Sequence, residues 1–222
     1  ATGNYNPGTA RLYTDLSLFS ARPELADDVT AFFNLLTGYC EPPQWKRLAV
    51  APLGLRAFVL QLIAREADHA RAGRPARVVA KLNALVDPVV IAALYEASQA
   101  GVAIDLIVRG ICCLRPGVPG VSERIRVVSI VDRFLEHARV VAVDNGGARE
   151  VYLSSADWMP RNFDRRVEVI FPVEAQPMAR WILDDVLGVQ LSDTAKASVL
   201  KPDGTYERRR PAEGEAPYRS QA

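Results

Sequence analysis

"ARVVAKLNALVDPVVIAALYEASQAGVAIDLIVRG", residues 76–110, carries the fold in one unit. Residues 76–85 are rich in Val and Leu and read as a strand. Asp87 stands where an N-cap acceptor belongs, Pro88 takes the first helical position, and Gly101 follows as a stop. Together they predict a helix over 87–101. Residues 102–110 form a second β-branched run. A strand returned through a helix to another strand is the unit of an α/β layer with a largely parallel sheet.

The flanking segments extend the same alternation. Leu55, Phe58, Val59, Leu62 and Ile63 recur at helical spacing within 53–73, and Gly73 ends that helix. A further helix is predicted over 23–37: Pro23 opens it, Glu24, Asp27 and Asp28 favour its N-terminal dipole, and Gly38 stops it. The prolines of "CEPPQW" (40–45) mark a linker. Beyond residue 110, strands are expected over 125–131, 138–144, 150–155 and 165–173, with "DNGG" (144–147) as a hairpin turn. Helices over 175–188 and 192–200 follow, and the polar tail reads as a short hairpin followed by disorder.

The chain has 222 residues, 49% hydrophobic and 24% charged, with a formal net charge of +1. That balance suits a globular protein of one large or one and a half small domains, with no global field aimed at nucleic acid or membrane. Anion affinity must therefore come from local clustering. No apolar run reaches the roughly 18 residues of a membrane-spanning helix, and no signal peptide is visible. The expected location is the cytoplasm, with a membrane-peripheral position as the variant. Cys40, Cys112 and Cys113 read as buried reduced thiols, because they are odd in number and two are adjacent. His69 and His137 are the only histidines, and nothing has the spacing of a zinc site.

Two polar stretches repeat each other. "TGNYNP" (2–7) matches "SADWMP" (155–160) as hydroxyl, small, Asn or Asp, aromatic, variable, proline. Each copy is followed by an acid at the same offset: Asn4 to Asp15 and Asp157 to Glu168 both span eleven positions. Duplicated halves that each bring one polar turn to a shared cleft explain that pattern; two unrelated turn-rich loops are the bland alternative. Upstream of the second copy, "LEHARV" (135–140) places His137 and Arg139 on one face of a strand. An imidazole beside a guanidinium suits a phosphoryl group, the ring as nucleophile, acid or donor and the Arg as a fork for phosphate oxygens. Arg109 ends an apolar strand just before Gly110, where α/β sheets bind ligands. Arg166 and Glu168 alternate with Val167 and Val169 in a strand; a surface salt bridge is the plain reading of that pair. Lys81 and Asn83 alternate on another strand and line a candidate path for an anionic polymer. His69, on the polar side of its helix, reads as structural.

The histidine, strand, turn and strand that lead into "SSAD" and a later acid resemble the phospholipase D superfamily pattern. "TGNYNPGTARLYTD" (2–15), "DLIVRGICCLRPG" (105–117), "RFLEHARV" (133–140) and "YLSSADWMPRNFDRRVEV" (152–169) resemble bacterial polyphosphate kinases of the phosphohistidine type, from residue 1 to about 210. The resemblance implies an α/β fold with a phospholipase D-like mixed sheet flanked by helices, a duplicated motif, and a truncated first half. The implied divisions are 1–45, the end of a first catalytic domain; 46–205, a second; and 206–222, a polar tail. The chain is then the C-terminal part of a longer enzyme, inactive alone because the phosphorylated histidine lies upstream.

The resemblance further implies reversible transfer of the terminal phosphate of ATP, through that histidine, to inorganic polyphosphate, leaving ADP. Tyr13, Arg109 and His137 would contact ATP, with Arg166 nearby. Residue by residue, Tyr13 suits adenine stacking or core packing equally. Asp15 would orient the upstream histidine as a carboxylate does in other histidine-based sites. Arg139 replaces the superfamily's lysine and Asp157 its asparagine, which favours a nucleotide-phosphate role over a second nucleophile at His137. Mg²⁺ would arrive on the phosphates, with no protein metal site, and the intact enzyme would be a homo-oligomer. The rival from another class is a non-catalytic anion- or nucleic-acid-binding module of the same fold. It would need a basic stripe with exposed aromatics, which the scattered arginines do not supply.

Overall fold

The computed structural model describes residues 6–38, 41 and 44–221. Asn4, most of the opening "TGNYNP" turn, Cys40 and part of the 40–45 linker lie outside them. In chain order the elements are β1 (Tyr13–Thr14), α1 (Pro23–Leu36), β2 (Ala49–Ala51), α2 (Leu55–Arg71), β3 (Arg77–Leu82), α3 (Pro88–Gln99), β4 (Ala103–Val108) and β5 (Ile125–Ile130). Then come β6 (Leu135–Glu136), β7 (Arg139–Val143), β8 (Glu150–Ser154), α4 (Pro160–Arg165), β9 (Glu168–Pro172), α5 (Gln176–Trp181), β10 (Ala197–Leu200) and β11 (Tyr206–Arg208). After Trp181 the last helix runs on as a wider π turn, Ile182–Gly188, and a final turn, Val189–Leu191.

The quoted unit folds as read. Asp87 caps α3 by accepting from the amides of Val89 and Val90 at 3.1 and 3.0 Å. α3 returns the chain so that β4 lies parallel to β3, in register from Arg77↔Ala103 to Leu82↔Val108. A sheet in the order β11-β10-β5-β4-β3-β7-β8-β9-β2 results. It is mixed rather than largely parallel: β3, β4 and β5 run parallel, and the pairs outside them are antiparallel. Parallel neighbours need a long crossover, which α3 provides from β3 to β4 and residues 109–124 from β4 to β5. β7 and β8, like β10 and β11, are joined by short turns, and a turn that short reverses the chain.

Alternation along β3 sorts the core onto two faces. Val78 and Ala80 pack with Leu55, Val59 and Ile63 of α2 and Leu94 of α3. Val79 packs with Ile107, Val140 and Leu153 against Ile182 and Leu187 of the last helix. His69 turns out structural. Its Nδ1 accepts from Arg74 Nε at 2.8 Å, its Nε2 lies 3.2 Å from Asn145 Oδ1, and it packs over Gly146 in the β7–β8 turn.

Several expectations are corrected. Residues 192–200 are not a helix. Asp193, fully buried, accepts from the amides of Lys196 and Ala197 at 2.6 and 3.1 Å, which bends the chain into β10. β10 then pairs with the edge of β5, Val199 opposite Val128, so sheet pairing overrides local helical spacing. The expected strand 165–173 begins only at Glu168, because Pro160 starts the short helix α4. The tail does form the predicted hairpin, Leu200 opposite Tyr206, but the rest is not loose. Ser220 donates to Asp193, Arg219 forks onto Asp132 at 2.7 Å, and Gln221 donates to Glu136 at 2.9 Å. Neither described cysteine is fully buried: Cys112 is half-buried, its thiol pushed up by burial, and Cys113 is exposed.

Candidate functional site

One end of the sheet collects the chemistry. β3, β4 and β8 end there, and β7 begins there. Chain direction alone therefore brings Asn83, Arg109, the His137–Arg139 pair and the loop carrying Ser155 and Asp157 to one edge. α/β sheets commonly hold ligands outside such strand ends.

The N-terminal segment joins this edge through β1, which pairs parallel to β6, Tyr13 beside Leu135 and Thr14 beside Glu136. The His137 amide donates to the Thr14 carbonyl at 2.8 Å. That pairing brings Asp15 Oδ2 to 3.1 Å from His137 Nδ1. A carboxylate only accepts, so the proton on this edge of the ring belongs to Nδ1. Within this chain, then, Asp15 meets the histidine of the second copy. Tyr13 stands edge-on to the same ring, centroids 5.6 Å apart.

Arg139 lies beneath. One of its terminal nitrogens is 3.0 Å from both ring nitrogens of His137 and donates to the His137 carbonyl at 2.9 Å. Its other side forks onto Asp157, Nη2 to Oδ2 at 2.9 Å and Nε to Oδ1 at 3.3 Å. Arg139 and Asp157 thus meet each other as a buried ion pair, 8% and 11% exposed. Asp157 also accepts from the amides of Asn83, at 2.7 Å, and Ala84, at 3.3 Å, which ties the second polar turn to the end of β3. Arg109 donates from Nε to Asn83 Oδ1 and lies next to that junction.

Arg166 is half-exposed just outside β9, and its Nη1 approaches Glu168 at 3.9 Å. Glu168 is buried, bonded by Ser155 Oγ and by Asn162 Nδ2, the latter at 2.7 Å. It therefore braces the turn locally. Lys81 does not line an open path: it is 4% exposed, and Nζ donates to the Ala138 carbonyl at 3.1 Å and pairs with Glu136 at 3.5 Å.

The Lys81 ammonium sits below its ordinary pKa because burial disfavours the charge, which Glu136 offsets only in part. The folded chain then binds that proton less readily than the unfolded one. Stability should rise with pH as it climbs toward the ordinary lysine pKa of about 10.4. Urea midpoints between pH 8 and 10 should show the rise in the chain as it stands and a flatter profile in Lys81→Met.

Glu136 was not legible as a site residue. It is bracketed by Lys81, Gln190 and Gln221, which come from three distant parts of the sequence. The one local signal was its position beside His137. Ser155 and Asn162, which fix Glu168, were likewise hidden by their ordinary turn and helix roles. Among the described residues no group of three or more His, Cys, Asp or Glu could hold a metal ion. The carboxylates near His137 are engaged with protein cations and amides, so a protein-held Mg²⁺ does not fit here. No helix among the described residues is long and apolar enough to cross a membrane.

Fold and site together define an α/β protein with a histidine-centred, cation-rich cluster at the end of a mixed sheet. The chain belongs to the polyphosphate kinase family. Residues 48–221 match the family described as "Polyphosphate kinase C-terminal domain 2", and residues 1–42 match "Polyphosphate kinase C-terminal domain 1". It is 58% identical over 215 residues to the polyphosphate kinase of Thermosynechococcus vestitus, covering 97% of this chain and 29% of that protein. It is 56% identical over 221 residues to the polyphosphate kinase of Synechocystis sp., covering 100% of this chain and 30% of that protein. The crystal structure of polyphosphate kinase from Porphyromonas gingivalis superposes with a TM-score of 0.94 at 42% identity, over 99% of this chain and 34% of that one. The chain thus spans about a third or less of these relatives and corresponds to their C-terminal region.

Proposed function

We propose that this chain forms the nucleotide-facing C-terminal part of an enzyme that reversibly transfers the terminal phosphate of ATP to inorganic polyphosphate. In the first step a histidine upstream of these residues attacks the γ-phosphorus. An N–P bond forms, the β–γ bridging P–O bond breaks, and ADP leaves. In the second a terminal oxygen of polyphosphate takes the phosphoryl group and restores the histidine. Dividing the transfer in this way replaces one hard step by two easier ones. The residues of this chain position the substrates and cancel charge. Arg109 and Arg166 hold phosphate oxygens, Tyr13 packs beside the base or sugar, and His137, held between Asp15 and Arg139, lies beside the phosphates. Mg²⁺ comes bound to the nucleotide, and no step rests on a protein metal site.

The observation that carries this reading is the placement of Arg109, His137 and Arg139 at one sheet edge, with Arg139 neutralised by Asp157 and Arg109 donating, among the described residues, only to a neutral amide. The two matched segments, 1–42 and 48–221, support the division at about residue 45. The test uses labelled ATP with the enzyme containing this chain and with the 222-residue chain alone. The long enzyme should acquire acid-labile phosphate on the upstream histidine, and the chain alone should acquire none. Phosphohistidine at His137 would overturn the assignment.

A further inference from the structure

Asn83 stands at the junction of the site, one residue past the end of β3, and both ends of its peptide are held. Its amide donates to Asp157 Oδ1 at 2.7 Å, and its carbonyl accepts from Gly110 N at 2.9 Å. Gly110 approaches so closely that a Cβ there would lie 2.6 Å from the Asn83 oxygen, so a side chain at 110 would force this contact apart. The backbone of Asn83 is thus locked to Asp157, and so to the guanidinium beneath His137.

The side chain is oriented as firmly. Arg109 Nε donates to Oδ1, and a guanidinium has no acceptor, so the carbonyl end of the amide must face Arg109. The amino end then points the other way. Nδ2 is shielded from solvent and has no hydrogen-bond partner among the described residues. Orphaned donors of this kind are rare in native proteins, because a buried donor left unpaired forfeits its hydration. The nearby carboxylate cannot serve it: Asp157 is committed to Arg139 and to the amides of residues 83 and 84.

We propose that Asn83 is a ligand-contacting residue: Oδ1 sets the plane of the Arg109 guanidinium, and Nδ2 donates to a phosphate oxygen of the nucleoside triphosphate that Arg109 binds. The inference rests on the nucleotide reading of Arg109 given above. A donor beside a cation selects an anionic group that only accepts, which a phosphate is. An acidic side chain at 83 would keep the acceptor for Arg109 but present oxygen and negative charge to the phosphate.

The experiment measures ATP-dependent phosphorylation of the upstream histidine in the full-length enzyme, for Asn83→Asp, Asn83→Leu and Arg109→Ala. The first two keep the backbone bonds of residue 83. Asn83→Leu should raise the KM for ATP roughly tenfold, the worth of one hydrogen bond to a charged group, with kcat changed less. Asn83→Asp should raise it further, with a wild-type unfolding midpoint. If Arg109→Ala weakens ATP use while Asn83→Asp behaves as wild type, the Asn83 inference is overturned and the nucleotide site stands. If Arg109→Ala is itself without effect, the nucleotide site is misplaced. Should Asn83→Leu fail to fold, Asn83→Asp decides alone.

Discussion

Asp157→Ala is expected to destabilise the chain by about 3–5 kcal/mol, the usual cost of stripping one partner from a buried ion pair. The substitution leaves the Arg139 guanidinium buried without its carboxylate and removes the acceptor of the Asn83 and Ala84 amides. Asp157→Asn should cost less, since its carbonyl can still take the Asn83 amide. The double substitution Arg139→Met with Asp157→Leu should recover part of the loss. It removes the stranded charge, although the two amides stay unpaired. Urea unfolding of the four proteins measures the series. A loss below about 1 kcal/mol for Asp157→Ala, the worth of an exposed pair, would show that this pair is solvated in solution.

Arg109→Ala, in the full-length enzyme, should weaken ATP binding or the ATP half-reaction by roughly ten- to hundredfold. A hydrogen bond from a guanidinium to phosphate is of order 1.5–3 kcal/mol net. Arg109→Lys should recover only part, because a point charge lacks the planar fork and cannot satisfy both Asn83 Oδ1 and a phosphate with the same geometry. His137→Ala should be impaired in the same step. His69→Ala should leave it intact, since His69 serves the β7–β8 turn at the other end of β7. The readout is phosphate incorporated on the upstream histidine at limiting ATP. Wild-type behaviour of both Arg109→Ala and His137→Ala, with failure of His69→Ala, would put the site elsewhere.

The fold was most legible where local chemistry and long-range pairing agree. Around α3, the cap at Asp87, the proline at 88 and the flanking Val-rich runs all favour one arrangement, and β3, α3 and β4 appear within three residues of expectation. It was least legible where they conflict. "ASVL" has no local reason to leave a helix; it becomes β10 because the edge of β5 offers unpaired backbone and Asp193 turns the chain toward it. The tail was misread for a related reason. Its polar composition predicts disorder, yet Arg219, Ser220 and Gln221 each find a partner supplied by another part of the fold.

By itself the sequence determined the strand–helix–strand unit, the repeat between residues 2–7 and 155–160, and the residue types of the candidate site: His137 with Arg139, Arg109 at a strand end, and an acid at a fixed offset. Those signals are local, because capping, alternation and motif spacing depend on neighbours along the chain. The tertiary structure alone decided who meets whom. It put Asp15 against His137, joined Arg139 and Asp157 as a buried pair, withdrew Lys81 onto Glu136, and set Asn83 between Arg109 and Asp157. These contacts span 18 to 122 positions in the sequence, and strand order and direction settle them, since the sheet determines which chain ends share an edge.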